Sequence, residues 1–376
     1  MSQFKDSIAQ SNVSYPIETV ITPMAGENYS RAMIFMNVEN AATYLPGVLS
    51  PAAGDLIELD SGNYGELTGG LLKKWLVPFF NKATTAKVGI AIFNTSATTT
   101  PATYPIADVY EAKKMYAYFK FAIEEAEGYQ TLQVELSNLC KADPLYSACW
   151  IGTDDGSILT ESSGLITNLM SAGSKARVIY NANSNINPAL AQLGATLSAA
   201  NATGTPVGNS MDMVQFNTIQ ASGAADADGN HVNLTTTEKG KCDGQKVGYQ
   251  TWVGDGTENV VTEGSLCLNG DSAGANWVKA YIEYMCKVRT ANYITRMNTF
   301  RNNQTYQAIL LILSDVVNPF LQFGRLDGFQ ITAPSFENLP ASGDQITVPN
   351  AWEATYIDDV REVTVYGTLY ITQPTR

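Results

Sequence analysis

Ser147-Ala-Cys-Trp-Ile-Gly152, Leu159 to Met170, Ala176-Arg-Val-Ile-Tyr180 and Pro188 to Ala200 follow one another in the middle of the chain. The first and third are short apolar runs bounded by turn residues, as expected of buried strands. The other two carry helical spacing. One follows the Asp154-Asp155-Gly156 turn, and the other starts after Asn187, a residue suited to cap a helix N-terminus. Strand–helix alternation at this spacing predicts an α/β unit in which helices flank a sheet. The order resembles a doubly wound sheet, yet no Gly-rich dinucleotide fingerprint follows any strand.

Toward the N-terminus the same character continues. Lys87 to Phe93 reads as a buried strand closed by the Thr-rich turn Asn94 to Pro101, and Ala32 to Val38 as another. Gly65 to Phe80 has helical spacing through Leu67, Leu71, Trp75 and Phe79, with Pro78 near its end. Val109 to Gly128 reads as a long helix striped by Met115, Phe119 and Ile123 and stopped by a glycine. Residues 31–220 therefore form the α/β part. Residues 1–30 read as an arm and first strand. Val13, Tyr15, Ile17 and Val20 make a β-like run over Asn12 to Thr22, and Pro16 favours a sheet edge.

Toward the C-terminus, residues 221–275 are punctuated by Gly, Asp, Asn and Thr around short strands at Lys246 to Val253 and Asn259 to Glu263. Two helices follow. Ala275 to Ile294 carries Trp277, Tyr281, Met285 and Val288 on one face. Gln304 to Phe323 carries a wide apolar stripe at period 3.6, with Pro319 expected to kink or end it near Val316. Phe329 to Ala333, Asp344 to Val348 and Trp352 to Tyr370 read as strands and connections, so residues 221–376 are α+β. The terminal strand Glu362 to Thr372 alternates cleanly, with Val363, Val365, Leu369 and Ile371 on one face and Thr and Tyr on the other. Such a strand adds to a sheet edge, because alone it leaves its backbone groups unpaired. That edge belongs either to its own domain or to a neighbouring subunit.

The chain has 376 residues, enough for two or three domains with real cores, and its apolar fraction of 45% is that of a folded protein. Only 16% of residues are charged, which leaves a neutral-polar surface with a low desolvation cost on packing against many neighbours. A net charge of −13 argues against non-specific nucleic-acid binding. No signal peptide is visible, and no stretch reaches the roughly 20 apolar residues needed to span a bilayer. A soluble protein with no membrane insertion is expected. The five cysteines show no metal-ligand spacing, and reduced thiols are expected, with a Cys242–Cys267 bond the one alternative.

Candidate chemistry is sparse. The one histidine, His231, sits in the polar run Asp226-Ala-Asp-Gly-Asn-His and reads as a loop residue facing solvent. Asp226, Asp228 and Asn230 match the first half of a calcium loop, but His231 and Thr237 stand where glycine and glutamate are required, so a turn is expected. Gly270-Asp-Ser-Ala-Gly274 fits a nucleophile elbow, but no histidine follows Ser272, which reads instead as a helix cap. No P-loop and no HExxH is present. No enzyme, cofactor or metal is expected. One asymmetry stands out: between Ala275 and Gln330 six basic residues face three acidic ones, inside an acidic protein. Lys279, Lys287, Arg289 and Arg296 are the candidates for a face that docks an acidic partner, against the plain alternative of a solvated helix face.

In order, the C-terminal part carries Val247-Gly-Tyr-Gln-Thr-Trp to Gly264-Ser-Leu-Cys-Leu-Asn-Gly, the helix Trp277 to Thr295, Phe300-Arg-Asn-Asn-Gln-Thr-Tyr with its helix, Phe323-Gly-Arg-Leu-Asp-Gly, and the closing Gly367-Thr-Leu-Tyr-Ile-Thr-Gln-Pro. This order of elements resembles the contractile-tail sheath proteins of bacteriophages and related injection machines. The likeness covers about residues 230–376 and the arm loosely; residues 31–220 correspond by position to an outward insertion domain. The resemblance implies an α/β insertion domain plus an α+β sheath domain with extended N- and C-terminal strand arms. It also implies a six-start helical homopolymer around a tail tube, with baseplate and tail terminator proteins as further partners. Assembly in the host cytoplasm into the virion tail, and contraction that drives the tube through an envelope during genome delivery, are implied too. Val13, Tyr15, Ile17 and Val20, with Val363, Val365, Leu369 and Ile371, would then form the inter-subunit strands. The basic face around Lys279, Lys287 and Arg289 would meet the tube. Another virion protein, of capsid or baseplate, shares the low-charge surface; a monomeric α/β enzyme or ligand-binding protein would instead show a polar pocket and pair its terminal strand internally.

Overall fold

The computed structural model describes residues 27–44, 51–67, 70–94, 104–123, 129–198, 219–253, 260–264, 266–297, 302–339 and 352–357. The linking strands expected over residues 12–22 and 362–372, the strand over 344–348 and the Thr-rich stretch 95–103 lie outside these residues.

β1 (Ala32–Asn37) leads through α1 (Val38–Tyr44), β2 (Leu56–Leu59) and α2 (Gly70–Phe80) to β3 (Val88–Phe93). α3 (Ile106–Lys113), β4 (Phe119–Ile123), α4 (Tyr129–Ala142), β5 (Ala148–Thr153), α5 (Gly164–Ser171), β6 (Arg177–Tyr180) and α6 (Pro188–Ser198) then alternate. α7 (Thr236–Gly244), β7 (Gly248–Trp252) and β8 (Val260–Glu263) precede the long helices α8 (Ala273–Met297) and α9 (Asn303–Gln322). β9 (Leu326–Ile331) and β10 (Trp352–Tyr356) form a small antiparallel sheet of their own.

The other eight strands make one sheet in the order β2-β3-β1-β4-β5-β6-β7-β8. From β3 to β7 all pairings are parallel, while β2 and β8 close the edges antiparallel. In register, Ile34 stands beside Ile90 on one side and Phe121 on the other. Both faces are covered, which is why these strands are apolar almost throughout. On one face Ile34, Met36, Ile90, Phe121, Trp150 and Ile179 pack with α2, α6, α8 and α9. On the other, Met33, Phe35, Phe93, Ile151 and Val178 pack with α3, α4, α5 and α7. The alternation of Ile34 and Met36 against Met33 and Phe35 is the period of 2 that splits one apolar run between two cores.

Local chemistry sets the helix starts. Asn187 accepts from the backbone N–H of Leu190 at 2.9 Å, as expected of the α6 cap. Ser163 does the same for α5, and Thr235 with Glu238 forms a reciprocal capping box on α7. Gly194 lets α6 lie directly on α2: a Cβ there would stand 2.8 Å from the Phe79 backbone.

Three expectations are revised. Val109 to Gly128 is not one helix. α3 ends at Lys113, and Phe119–Ile123 is the wholly buried strand β4. α4 and α7 occupy stretches without an expected helix. Pro319 does not end α9 near Val316: the helix runs on to Gln322, with Val316, Val317 and Phe320 buried along its last turns. The sheet draws strands from both sides of residue 220, since β7 pairs with β6 through Ile179–Gly248 and Tyr180–Tyr249.

Candidate assembly interface

α8 carries all four residues of the expected basic face, and the structure divides them. At roughly 100° per residue, Arg289 and Arg296 lie within about 20° of each other, and both are exposed. Lys279 is exposed about 80° round the helix from Arg289 and stands 4.0 Å from Glu283 one turn on. That pair sits in water and contributes little. Lys287 lies about 160° from Arg289 and is buried, at 6% exposure. Its ammonium donates to the Tyr146 hydroxyl and lies 5.0 Å from the centre of that ring. It anchors α8 to the turn before β5 and takes no part in the exposed face.

The anchor is broader than one lysine. The hydroxyl of Tyr29 sits between the carbonyls of Leu145 (2.8 Å) and Ala280 (3.0 Å). Its ring stacks on Tyr118 at 4.9 Å and meets Tyr281 edge-on at 5.3 Å. Trp277 meets Phe119 of β4 at 5.5 Å. Burial raises the Tyr29 hydroxyl well above its ordinary pKa, so it stays a neutral donor. Nearby, the Lys120 ammonium is fully buried and donates to the carbonyls of Lys114 (2.8 Å) and Ala117. Burial pushes its pKa down to about 7. Sequence reasoning missed Tyr29, Tyr146 and Lys120 and placed Lys287 on the exposed face, although the two-residue step from Lys287 to Arg289 already puts that pair on opposite sides of a helix.

β9 and β10 pair from Trp352–Ile331 to Tyr356–Leu326. Among the described residues each is hydrogen-bonded as a strand only to the other. Leu326 and half-buried Phe329, Trp352 and Tyr356 seat this ribbon on the core beside α9, while Ile331 and Ile357 are exposed. A two-stranded ribbon is a geometry to which a further strand adds.

The enzyme-like motifs resolve into structural roles. Ser272 Oγ accepts from the Ala275 N–H at 3.3 Å and caps α8. Asp226 Oδ1 accepts from the N–H groups of Asp228 (2.9 Å) and Asn230 (2.8 Å), which closes a turn. His231 Nδ1 lies 2.7 Å from the Gly223 carbonyl oxygen, on a half-buried loop residue. Asp155 caps the turn after β5; burial works against its carboxylate, but hydrogen bonds from Ser157 and Ser163 outweigh it and hold the pKa below the usual range. All five cysteines are free thiols, Cys242 and Cys267 included. Among the described residues, no cluster of three His, Cys, Asp or Glu side chains is placed to hold a metal, and no helix is long and apolar enough to cross a membrane. A cavity of about 110 Å³ opens at the amino ends of β4 to β6. That is the end opposite to where open α/β sheets hold ligands.

No protein-family model matches the sequence, and no curated protein matches it. The fold does have counterparts. One chain of the cryo-EM structure of the anti-feeding prophage baseplate, six-fold symmetrised, aligns over 97% of this chain and 99% of its own, with a TM-score of 0.61 and 12% identity. A chain of the anti-feeding prophage helical sheath in its contracted state aligns over 95% and 99%, with a TM-score of 0.62 and 12% identity. The likeness read from the C-terminal motifs is thus met in fold by sheath and baseplate chains. At this identity what is shared is the fold.

Proposed function

We propose that this chain is a structural subunit of a contractile tail or related injection particle, and that it polymerises as the sheath around an inner tube. The observation that carries this is the near full-length likeness of fold to a helical sheath chain. The strands at residues 12–22 and 362–372 extend to neighbouring subunits and add to sheet edges there, the outer edges of β9 and β10 being the receivers. Backbone hydrogen bonds formed this way survive rigid-body rotation, because the links on either side absorb the change. Contraction draws on a metastable extended lattice, without nucleotide, and drives the tube through an envelope. Arg289 and Arg296, flanked by Lys279, face an acidic tube surface; Lys287 holds the helix that presents them. The subunit is assembled in the host cytoplasm, with baseplate and terminator proteins bounding the polymer.

The equal likeness to a baseplate chain supports a second role, at the end of the tube instead of along it. Immunogold labelling of purified particles separates the two. Gold along the whole tail identifies a sheath subunit, and gold confined to one end identifies a baseplate subunit. Particles with no label on the tail would contradict both.

A further inference from the structure

The cavity at the amino ends of β4 to β6 is lined by three lysines, Lys141, Lys175 and Lys279, against one carboxylate, Glu283. That is a local excess of positive charge in a chain of net charge −13. Lys141 donates to the Ala172 carbonyl at 2.8 Å and Lys279 stands 4.0 Å from Glu283, and each ammonium has three N–H donors to share. α8 adds to the same sign. Helices that follow parallel strands start at the carboxyl ends of those strands, but α8 starts at the opposite end. Ala273 and Asn276 of its first turn line the cavity beside Ala148, the first residue of β5, and Ala176, just before β6. A helix N-terminus presents N–H groups and the positive end of the helix dipole. The positive field reaches the wall: burial raises the Cys267 thiol to about 11, while the charges of Arg177 and Lys175 pull it the other way. Ser147 also lines the cavity, at 4% exposure, and its hydroxyl has no hydrogen-bond partner. A buried hydroxyl in that state calls for one.

We propose that this cavity binds a small free oxyanion of the size of inorganic phosphate. Its volume of about 110 Å³ is several times the space one water needs, yet below the roughly 150 Å³ of an apolar cavity that holds benzene. A phosphate or small carboxylate therefore fits, and a nucleotide does not. The ion's oxygens accept from the ammonium groups of Lys175 and Lys279 at the mouth, from the first turn of α8 and from the Ser147 hydroxyl. Hydrogen bonds to a charged acceptor are the stronger kind, which favours an anion over a neutral ligand of equal size. Bound there, the ion joins the start of α8 to the starts of β5 and β6, at the junction that Tyr29 and Lys287 already fasten.

The test is isothermal titration calorimetry of the full chain with inorganic phosphate, at an ionic strength held constant with sodium chloride. Saturable binding of one phosphate per chain is expected. Lys175→Gln and Lys279→Gln, both at exposed positions, should each weaken it by about 2- to 5-fold. Ala148→Val narrows the cavity without changing its charge and should abolish binding. The absence of saturable binding would overturn the assignment, as would an affinity unchanged in both lysine variants. Native affinity in Ala148→Val would place the ion on the surface lysines and outside the cavity, and would overturn it too. The native chain and the two lysine variants decide the matter even where Ala148→Val fails to fold.

Discussion

Lys287 and Arg289 sit two residues apart on α8, and substituting them should have opposite consequences. Lys287→Met removes the donor to Tyr146 inside the packed junction and should cost about 1–3 kcal/mol of stability. Arg289→Glu, on the exposed face, should stay within about 0.5 kcal/mol of the native chain yet weaken co-sedimentation with tube. Equal melting curves for native and Lys287→Met would refute its anchoring role. Lys120 adds a pH dependence. Its folded pKa of about 7 lies below the unfolded lysine value of about 10.4. Below pH 7 both states carry the proton and the whole burial cost is felt. Between the two values the unfolded state holds more protons, so stability rises with pH. Lys120→Met leaves the Lys114 and Ala117 carbonyls without their donor, and its deficit relative to native should be larger at pH 9 than at pH 6.5. Urea denaturation at the two values measures this, and a deficit independent of pH would show that the ammonium is not desolvated.

At the scale of elements, α2 and α6 touch backbone to backbone at Gly194. Gly194→Val should force them apart and cost about 1–3 kcal/mol, read as a lowered urea midpoint; an unchanged midpoint would mean the helices are free to separate. The strands were largely legible because short apolar runs between turn residues leave few other readings, as at β1, β3, β5, β6 and β7. β4 was hidden by its own burial. A strand covered on both faces has no polar alternation, and Met115, Phe119 and Ile123, spaced by four, imitate a helical stripe. α4 was hidden because its buried face mixes Leu132 and Leu136 with Gln133 and Ser137. α7 has little apolar content, and its one signal was the Thr235–Glu238 capping box. For the interface, the basic character of α8 was legible, whereas the inward turn of Lys287 needed the helix phase and the position of Tyr146.

Across the whole molecule, β7 and β8 complete a sheet begun by residues 32–180, and α8 covers one of its faces. A fragment of residues 31–220 would expose the β6 edge and lose Trp277 and Tyr281 from the core. It should therefore aggregate or unfold without a cooperative transition; a monodisperse, cooperatively melting fragment would show that the α/β part is autonomous. Self-assembly through strand exchange makes the widest claim, because it binds the arms, the β9–β10 ribbon and the low-charge surface into one function. Negative-stain electron microscopy of the purified, concentrated chain, beside a chain lacking residues 1–22, tests it most directly. Hollow, striated cylinders of uniform width from the full chain, and folded particles without cylinders from the truncated one, are the predicted result. Monodisperse particles of about 40.6 kDa from both chains at every concentration would contradict it.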